Sequence, residues 1–415
     1  MSAPGSVSAR DVSRRELPLR LVLVLGGLTA VGPLSLTMYL PALPQLAEDL
    51  DSTDALAQLT MTACMVGLAL GQLVVGPLSD RYGRRRPLLL GGAAYTTSSF
   101  LCALAPDMVL LIGLRLVQGM AGGAGIVIAR AIVRDRFDTD SVARVFALLL
   151  LVTGVAPVTA PILGGQLVRV TSWPGLFVAL GVIGALTFAA TALVVRESLP
   201  VEARDRGGFR ATGRRFATVL RDGRFLGFAG VLALGTTLLF TYLSMSPFVL
   251  QERFGLSPQA FSYAFAATAV GMMAAGQLSA WLVGRRGAAW TLRAGLVTTA
   301  TLNAVLVTAV VLGLGRSVVL PLLTAGVSCI PLVLSTSSAL ALDAHRARAG
   351  TATGLMGMAQ FGISGTVAPL IAIGGTTPVL MVSTMACSAA LALVVGLLLI
   401  RGRVRPRGGG GPPAG

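Results

Sequence analysis

The chain has 415 residues, 54% of them hydrophobic and only 12% charged, and all 33 basic residues are arginine against 17 carboxylates, for a net charge of +16. Water-soluble domains carry about 25% charge, so this composition, with a mean hydropathy of +0.80, is that of a membrane protein. The arginines are spread over alternate loops rather than gathered on one soluble face, which argues against a nucleic-acid partner.

Crossing a hydrocarbon core of ~30 Å at ~1.5 Å per residue takes about 20 apolar residues. Apolar runs predict twelve spans, at 19–41, 56–78, 87–105, 108–130, 143–168, 174–195, 225–248, 260–283, 289–313, 317–342, 350–374 and 378–400. The runs are continuously apolar, whereas barrel strands alternate over about 10 residues, so an all-α bundle is expected. Residues 1–18 read as a cytoplasmic tail; Arg14, Arg15 and Arg20 resemble a signal-peptide n-region, but the long run and the spans behind it predict an uncleaved helix. Clusters at Arg81–Arg86, Arg134–Arg144, Arg196–Arg224, Arg285–Arg286 and Arg401–Arg407 place both termini and the middle loop in the cytoplasm by the positive-inside rule. The segment 196–224 is the only long polar stretch between spans, so the chain divides into bundles at 19–195 and 225–400 joined by a basic linker, with a disordered tail at 401–415. VGLALGQLVVG at 66–76 and VGMMAAGQLSA at 270–280 form a faint repeat, each in the second helix of its half, which suggests two parallel halves around a central cavity.

In chain order, the first span ends in PLSLTMYLPALPQL, residues 33–46, where Ser35, Thr37 and Tyr39 recur at every second position. GPLSDRYGRRRP, Gly76 to Pro87, forms the next cytoplasmic turn, with Asp80 among Arg81, Arg84 and Arg85 and with Gly76 and Gly83 at fixed spacing. RLVQGMAGGAG begins with Arg115 inside the fourth span. A buried guanidinium costs a few kcal/mol, so it either faces a polar cavity or a partner or snorkels to the headgroups. The fifth span carries Gly154, Pro157, Pro161, Gly164 and Gly165, a set that permits bending and tight packing, or simply a kinked helix. Cys64, Cys102, Cys329 and Cys387 lie within spans as packing residues. Trp173, Trp281 and Trp290 lie near span ends as interfacial anchors.

The loop from Gly76 to Pro87 resembles the G-x-L-x-D-R-x-G-R-[KR] signature of the major facilitator superfamily, and RLVQGMAGGAG is similar to its R-x-x-Q-G-x-G pattern. The fifth-span glycines and prolines resemble the motif of drug and proton antiporters. TMYLPALP, SWPGLFVALG, SPFVLQERFGLSPQAFS and RAGTATGLMGMAQF resemble the Bcr/CflA drug exporters, over nearly the whole chain. The resemblance implies a twelve-helix fold of two pseudo-symmetric bundles and proton-driven export of small amphipathic drugs such as bicyclomycin or chloramphenicol types. It also implies that Asp80 and Arg84 pair with Asp135 to shut the cytoplasmic side in the outward-facing state, with Ala280 replacing the acid in the second half.

One departure matters. The subfamily's first helix reads D-M-Y-L-P-A and its aspartate is thought to bind the proton; this chain has Thr37, which does not titrate near neutral pH. No carboxylate falls at mid-membrane, and the single histidine, His345, sits at the cytoplasmic end of the tenth span. Three accounts stay open: coupling through Asp80 or Asp135, movement without strict coupling, or a variant that has lost coupling. Arg115, without a counterion, is a candidate contact for anionic substrates. Thr37, Tyr39, Arg115 and Gln118 are the candidate substrate and coupling residues, with Met61, Met65, Met120, Tyr242, Tyr263, Met358, Gln360 and Phe361 as further cavity candidates. The spans hold no clustered nucleophile, base or metal set, so no enzyme activity, cofactor or metal is expected. The expected partners are a small-molecule substrate, protons and the lipid bilayer, and the chain is expected to be monomeric. A facilitator or importer of a small metabolite, or a non-transporting receptor, is the alternative.

Overall fold

The computed structural model describes residues 19–137, 139–203, 222–343, 355–357, 359–360, 363–364, 367 and 375–401. The expected eleventh span therefore lies mostly outside the described residues, as do most of the linker, both tails, His345, Met358 and Phe361. The helices are α1 (Leu19–Thr37), α2 (Leu43–Asp49), α3 (Asp54–Tyr82), α4 (Arg85–Ala103), α5 (Met108–Arg136), α6 (Thr139–Leu167) and α7 (Trp173–Val194) in the first half. The second half contains α8 (Gly223–Phe248), α9 (Pro258–Arg286), α10 (Ala288–Val311), α11 (Arg316–Ser328), α12 (Ile330–Asp343) and α13 (Pro378–Arg401).

Local chemistry sets the ends. Thr53, Asp107 and Ser257 cap α3, α5 and α9, each side-chain oxygen accepting a backbone N–H from three residues on. Gly83 and Gly287 end α3 and α9 at φ of +88° and +80°, a conformation that side chains with a Cβ rarely adopt. Two expected spans differ from those seen. The first stops at Thr37 because Pro41 and Pro44 restart the chain as a 3₁₀ turn (Leu40–Ala42) and α2. The tenth breaks at Cys329, where Pro331 withholds the N–H that would bond the previous turn.

Among the described residues, nine helical segments are long and apolar enough to cross a membrane. The helix α4 is not one of them, because its centre carries Tyr95, Ser98 and Ser99, all turned into the first half's interior. Close approach of α3 and α5 rests on small residues: a Cβ on Gly67 or Gly119 would sit 2.2 Å from Leu116 O and 2.0 Å from Cys64 O.

The core reports how the halves meet. At the end away from the arginine clusters, one hydrophobic cluster runs through both halves, from Met38, Leu43, Met61 and Phe177 to Phe248, Phe261 and Leu323. At the arginine-rich end the described core is divided: Leu25, Leu88, Ile128 and Ile132 belong to the first half, and Phe225, Phe228, Leu292 and Leu340 to the second. The halves are thus packed together at the far end and have separate cores at the basic end.

Candidate functional site

Ser35 and Thr37 lie in the last turn of α1, where an α-helix turns ~100° per residue and so points residues two apart in different directions; Tyr39 follows just beyond the helix. Ser35 and Tyr39 face the interior of the first half. The Ser35 hydroxyl donates to Val31 O at 2.7 Å and shares a 2.6 Å hydrogen bond with Tyr95 OH. The Tyr39 hydroxyl shares a 3.0 Å bond with Thr60 Oγ1. Thr37 instead donates to Pro33 O of its own helix at 3.0 Å.

Arg115 is 0% exposed and lies within this same interior. Its Nη1 donates to Gln118 Oε1, its Nη2 donates to Ser35 O at 2.8 Å, and its guanidinium sits 4.4 Å from the Tyr39 ring centre and 5.5 Å from that of Phe177. Gln118 passes the network on, its Nε2 donating to Ser99 Oγ at 2.7 Å. Ring faces and a backbone carbonyl thus take the place of a carboxylate, and together they offset several kcal/mol of desolvation. In this structure Arg115 and Gln118 are enclosed between α1, α4, α5 and α7, where the cation ties the first half together, and Arg115 Nε has no hydrogen-bond partner among the described residues. Tyr39 belongs to the same cage.

Charges at the basic end form a second network. Arg84 Nε donates to Asp135 Oδ2 at 3.0 Å, and its Nη1 bonds both Asp80 Oδ1 and Ser79 Oγ. Burial alone would lower the Arg84 pKa, but the bonds and charges of Asp135 and Asp80 hold it above the ordinary value. Glu197 accepts the backbone N–H groups of Arg84 (2.8 Å) and Arg85 (3.2 Å), and Arg85 donates to Val195 O and Ala192 O at the end of α7. Burial would raise the Glu197 pKa, yet four backbone N–H bonds hold it below the usual carboxylate value. Every partner named here is in the first half except Glu197, which opens the linker just after it, and the network is complete while the far end is the packed one. Among the described residues, it makes no tie to the second half of the kind expected of an inter-bundle lock.

Individual motif residues divide by role. Gly83 supplies the positive φ, whereas a Cβ on Gly76 would meet only Val127 Cγ2 at 3.7 Å, an ordinary contact. Arg81 is exposed and stacks on Tyr82, 5.3 Å from its ring centre. The matching backbones of Gly83 and Gly287 set the register between halves, so Gly284 corresponds to Asp80 and Ala288 to Arg84. Ala280, expected in the acid's place, is one turn too early.

The far-end seam was not anticipated, apart from the glycine pair. A Cβ on Gly164 would lie 1.8 Å from Met38 O, and one on Gly165 would lie 2.2 Å from Ser262 Oγ across the seam. Gln259 Nε2 donates to Gly165 O at 3.0 Å, Gln166 Nε2 to Tyr263 OH at 3.0 Å, and Gln251 Nε2 to Pro41 O at 3.2 Å. Ser244 Oγ lies 3.7 Å from Met61 Sδ, and Thr376 donates to Asp54. Pro161 is buried in α6; the surroundings of Gly154 and Pro157 lie outside the described side chains. Of the other cavity candidates, Met65 packs in the core shared by the halves, while Tyr242 is enclosed in the second half, stacked on Phe265 with its hydroxyl donating to Thr268 at 3.3 Å. Met120 and Gln360 are half-buried.

Known proteins agree with this architecture. The chain is 36% identical over 399 residues, 94% of its length and 97% of the relative's, to a Bacillus subtilis (strain 168) protein called uncharacterized MFS-type transporter YdgK. It is 28% identical to a Haemophilus influenzae bicyclomycin resistance protein homolog, covering 93% of this chain and 98% of that one. It is likewise 28% identical to the Klebsiella pneumoniae (strain 342) multidrug resistance protein MdtL, covering 92% and 95%. Among solved structures, a point mutant of the nucleoside transporter NupG superposes with a TM-score of 0.74 at 13% identity, covering 92% of this chain and 98% of that one. A bacterial homolog of the human lysosomal transporter Spinster superposes at 0.65 and 17% identity, covering 92% and 94%. The family model described as Major Facilitator Superfamily matches residues 25–369, and the chain, a multi-pass membrane protein of all-α fold, belongs to that family of secondary transporters.

Proposed function

We propose that the protein exports small amphipathic, drug-like compounds across the cell membrane by alternating access, acting as a monomer. The basic end is cytoplasmic on this reading, with both termini there, because the arginines concentrate on that side. The two bundles are residues 19–195 and 225–400, joined by the basic linker 196–224. The carrying observation is the far-end seam, where Gly165 lets α6 close on α9. Among the described residues, polar contacts and small residues form a joint that closes without a covalent or ionic tie, as a reversible gate requires. Relatives named for bicyclomycin and multidrug resistance supply the substrate class.

Energy coupling takes a different route from the one the subfamily resemblance implies. Thr37 bonds its own helix and offers no titrating group, and Arg115 is enclosed by rings and amides. Proton antiport through the first helix is therefore not what this site is built for, and coupling through Asp80 or Asp135 would act on the basic-end network. Efflux of bicyclomycin and chloramphenicol from cells lacking their own pumps, with and without a proton uncoupler, tests both parts. Drug efflux that survives the uncoupler supports uncoupled export; accumulation equal to that of empty cells contradicts export itself.

A further inference from the structure

The two halves treat equivalent loops differently. In the first, Asp80 and Asp135 neutralise Arg84, and Arg85 caps α7. In the second, Gly284 and Ala288 stand in the positions of Asp80 and Arg84, and Arg285 and Arg286 close α9 just before the Gly287 turn. Among the described residues neither arginine forms an ion pair or bonds a carbonyl. Each lies instead on an indole: Arg285 is 4.2 Å from the Trp281 ring centre and Arg286 4.6 Å from that of Trp290. Both tryptophans face outward, 52% and 41% exposed, on α9 and α10. Arg293 is exposed on α10, three residues beyond Trp290 and so on the same helix face.

We infer that Arg285 and Arg286, braced on Trp281 and Trp290 with Arg293 beside them, bind the phosphate of an anionic phospholipid in the leaflet at the basic end. Indoles sit at headgroup depth, and stacking holds each guanidinium plane so that its N–H edge is presented rather than searched for. A planar fork matches two phosphate oxygens, and the turn itself, with Gly284 in the position of Asp80, carries no carboxylate to meet it. The lipid headgroup supplies the anion the loop lacks. This site is independent of which compound the protein carries.

The test is native mass spectrometry of the full chain from vesicles of equal phosphatidylglycerol and phosphatidylcholine. The wild type should retain phosphatidylglycerol selectively. R285Q/R286Q should lower that selectivity by about thirty-fold, since each basic residue at an anionic surface contributes roughly fivefold. W281L/W290L, which keeps both charges, should lower it by about fivefold through lost stacking. R285K/R286K should fall between wild type and the glutamine pair, because lysine keeps charge but not the fork. Equal retention of both lipids by the wild type, unchanged selectivity in R285Q/R286Q with native melting, or displacement of the lipid by an equal concentration of inorganic phosphate would each overturn the assignment.

Discussion

Gly165→Ala is the most informative perturbation of the seam. The added Cβ would stand 2.2 Å from Ser262 Oγ and 2.9 Å from Ser262 Cβ, where ordinary contact begins at 3.4 Å. Rotating the hydroxyl relieves only the first clash and breaks its 2.7 Å bond to Pro258 O. The Cβ contact remains, so α9 must retreat from α6, which also stretches the Gln259 bond to Gly165 O. Overpacking of this kind costs about 1–3 kcal/mol. On the proposed alternating access the halves separate at the far end in the outward-facing state, so the cost falls on the closed state alone and shifts the equilibrium about 5- to 160-fold toward opening. A cysteine at Ser244, buried in the seam, reads this out in a background without Cys64, Cys102, Cys329 and Cys387. A membrane-impermeant maleimide added at the far end should label Ser244→Cys faster in the Gly165→Ala chain by that factor. Gly164→Ala is the contrast: its clash is with Met38 O in the same half, so it should lower melting temperature without favouring either face. An unchanged labelling rate in natively melting Gly165→Ala would refute the steric reasoning.

Other expectations follow from the two networks. Arg115→Ala leaves Gln118 Oε1 and Ser35 O without their donor and should destabilise the protein by about 1–3 kcal/mol for each orphaned acceptor, and should reduce transport of anionic and neutral compounds equally; a selective loss for anions in a natively melting variant would support the substrate-contact reading. Asp135→Asn leaves Arg84 only Asp80 and should cost about 1–3 kcal/mol in thermal unfolding; a melting temperature equal to wild type would remove the pair from the energetic account. The Glu197 carboxylate has a depressed pKa, so its contribution is present above the unfolded-state value and is lost as pH falls through the folded one. Because the group is largely exposed, that contribution is under ~1 kcal/mol, and Glu197→Gln should lower stability by up to that amount at neutral pH and converge with wild type in acid, flattening the acid limb of the stability curve. Thr37→Asp places a titratable group in the first helix and should gain uncoupler-sensitive efflux; identical uncoupler response in both chains would show that coupling lies elsewhere.

Sequence reasoning reached the family, the all-α bundle and most helix limits because each rests on local information: apolar run length, loop arginines and a short loop signature. The pairing of Arg84 with Asp80 and Asp135 came from the family resemblance of the loop rather than from the residues alone. The surroundings of Arg115 were not readable, because Phe177 and Tyr95 come from helices remote in sequence and an aromatic there looks like any core residue. The alternation at Ser35, Thr37 and Tyr39 did not reveal that Ser35 and Tyr39 bond Tyr95 and Thr60 while Thr37 bonds its own helix. The seam glutamines Gln166, Gln251 and Gln259 resemble ordinary loop-end polar residues, and only the facing helix gives them meaning.

Whether the halves swing about the central axis can be measured with two spin-label pairs. One joins exposed Val170 and Leu312 at the far end, the other joins exposed Tyr82 and Leu226 at the basic end. In membranes, the far-end distance should lengthen as the basic-end distance shortens, with Gly165→Ala populating the long far-end distance more than wild type does. Distances that stay fixed at both ends, or that lengthen and shorten together, would contradict alternating access by this chain.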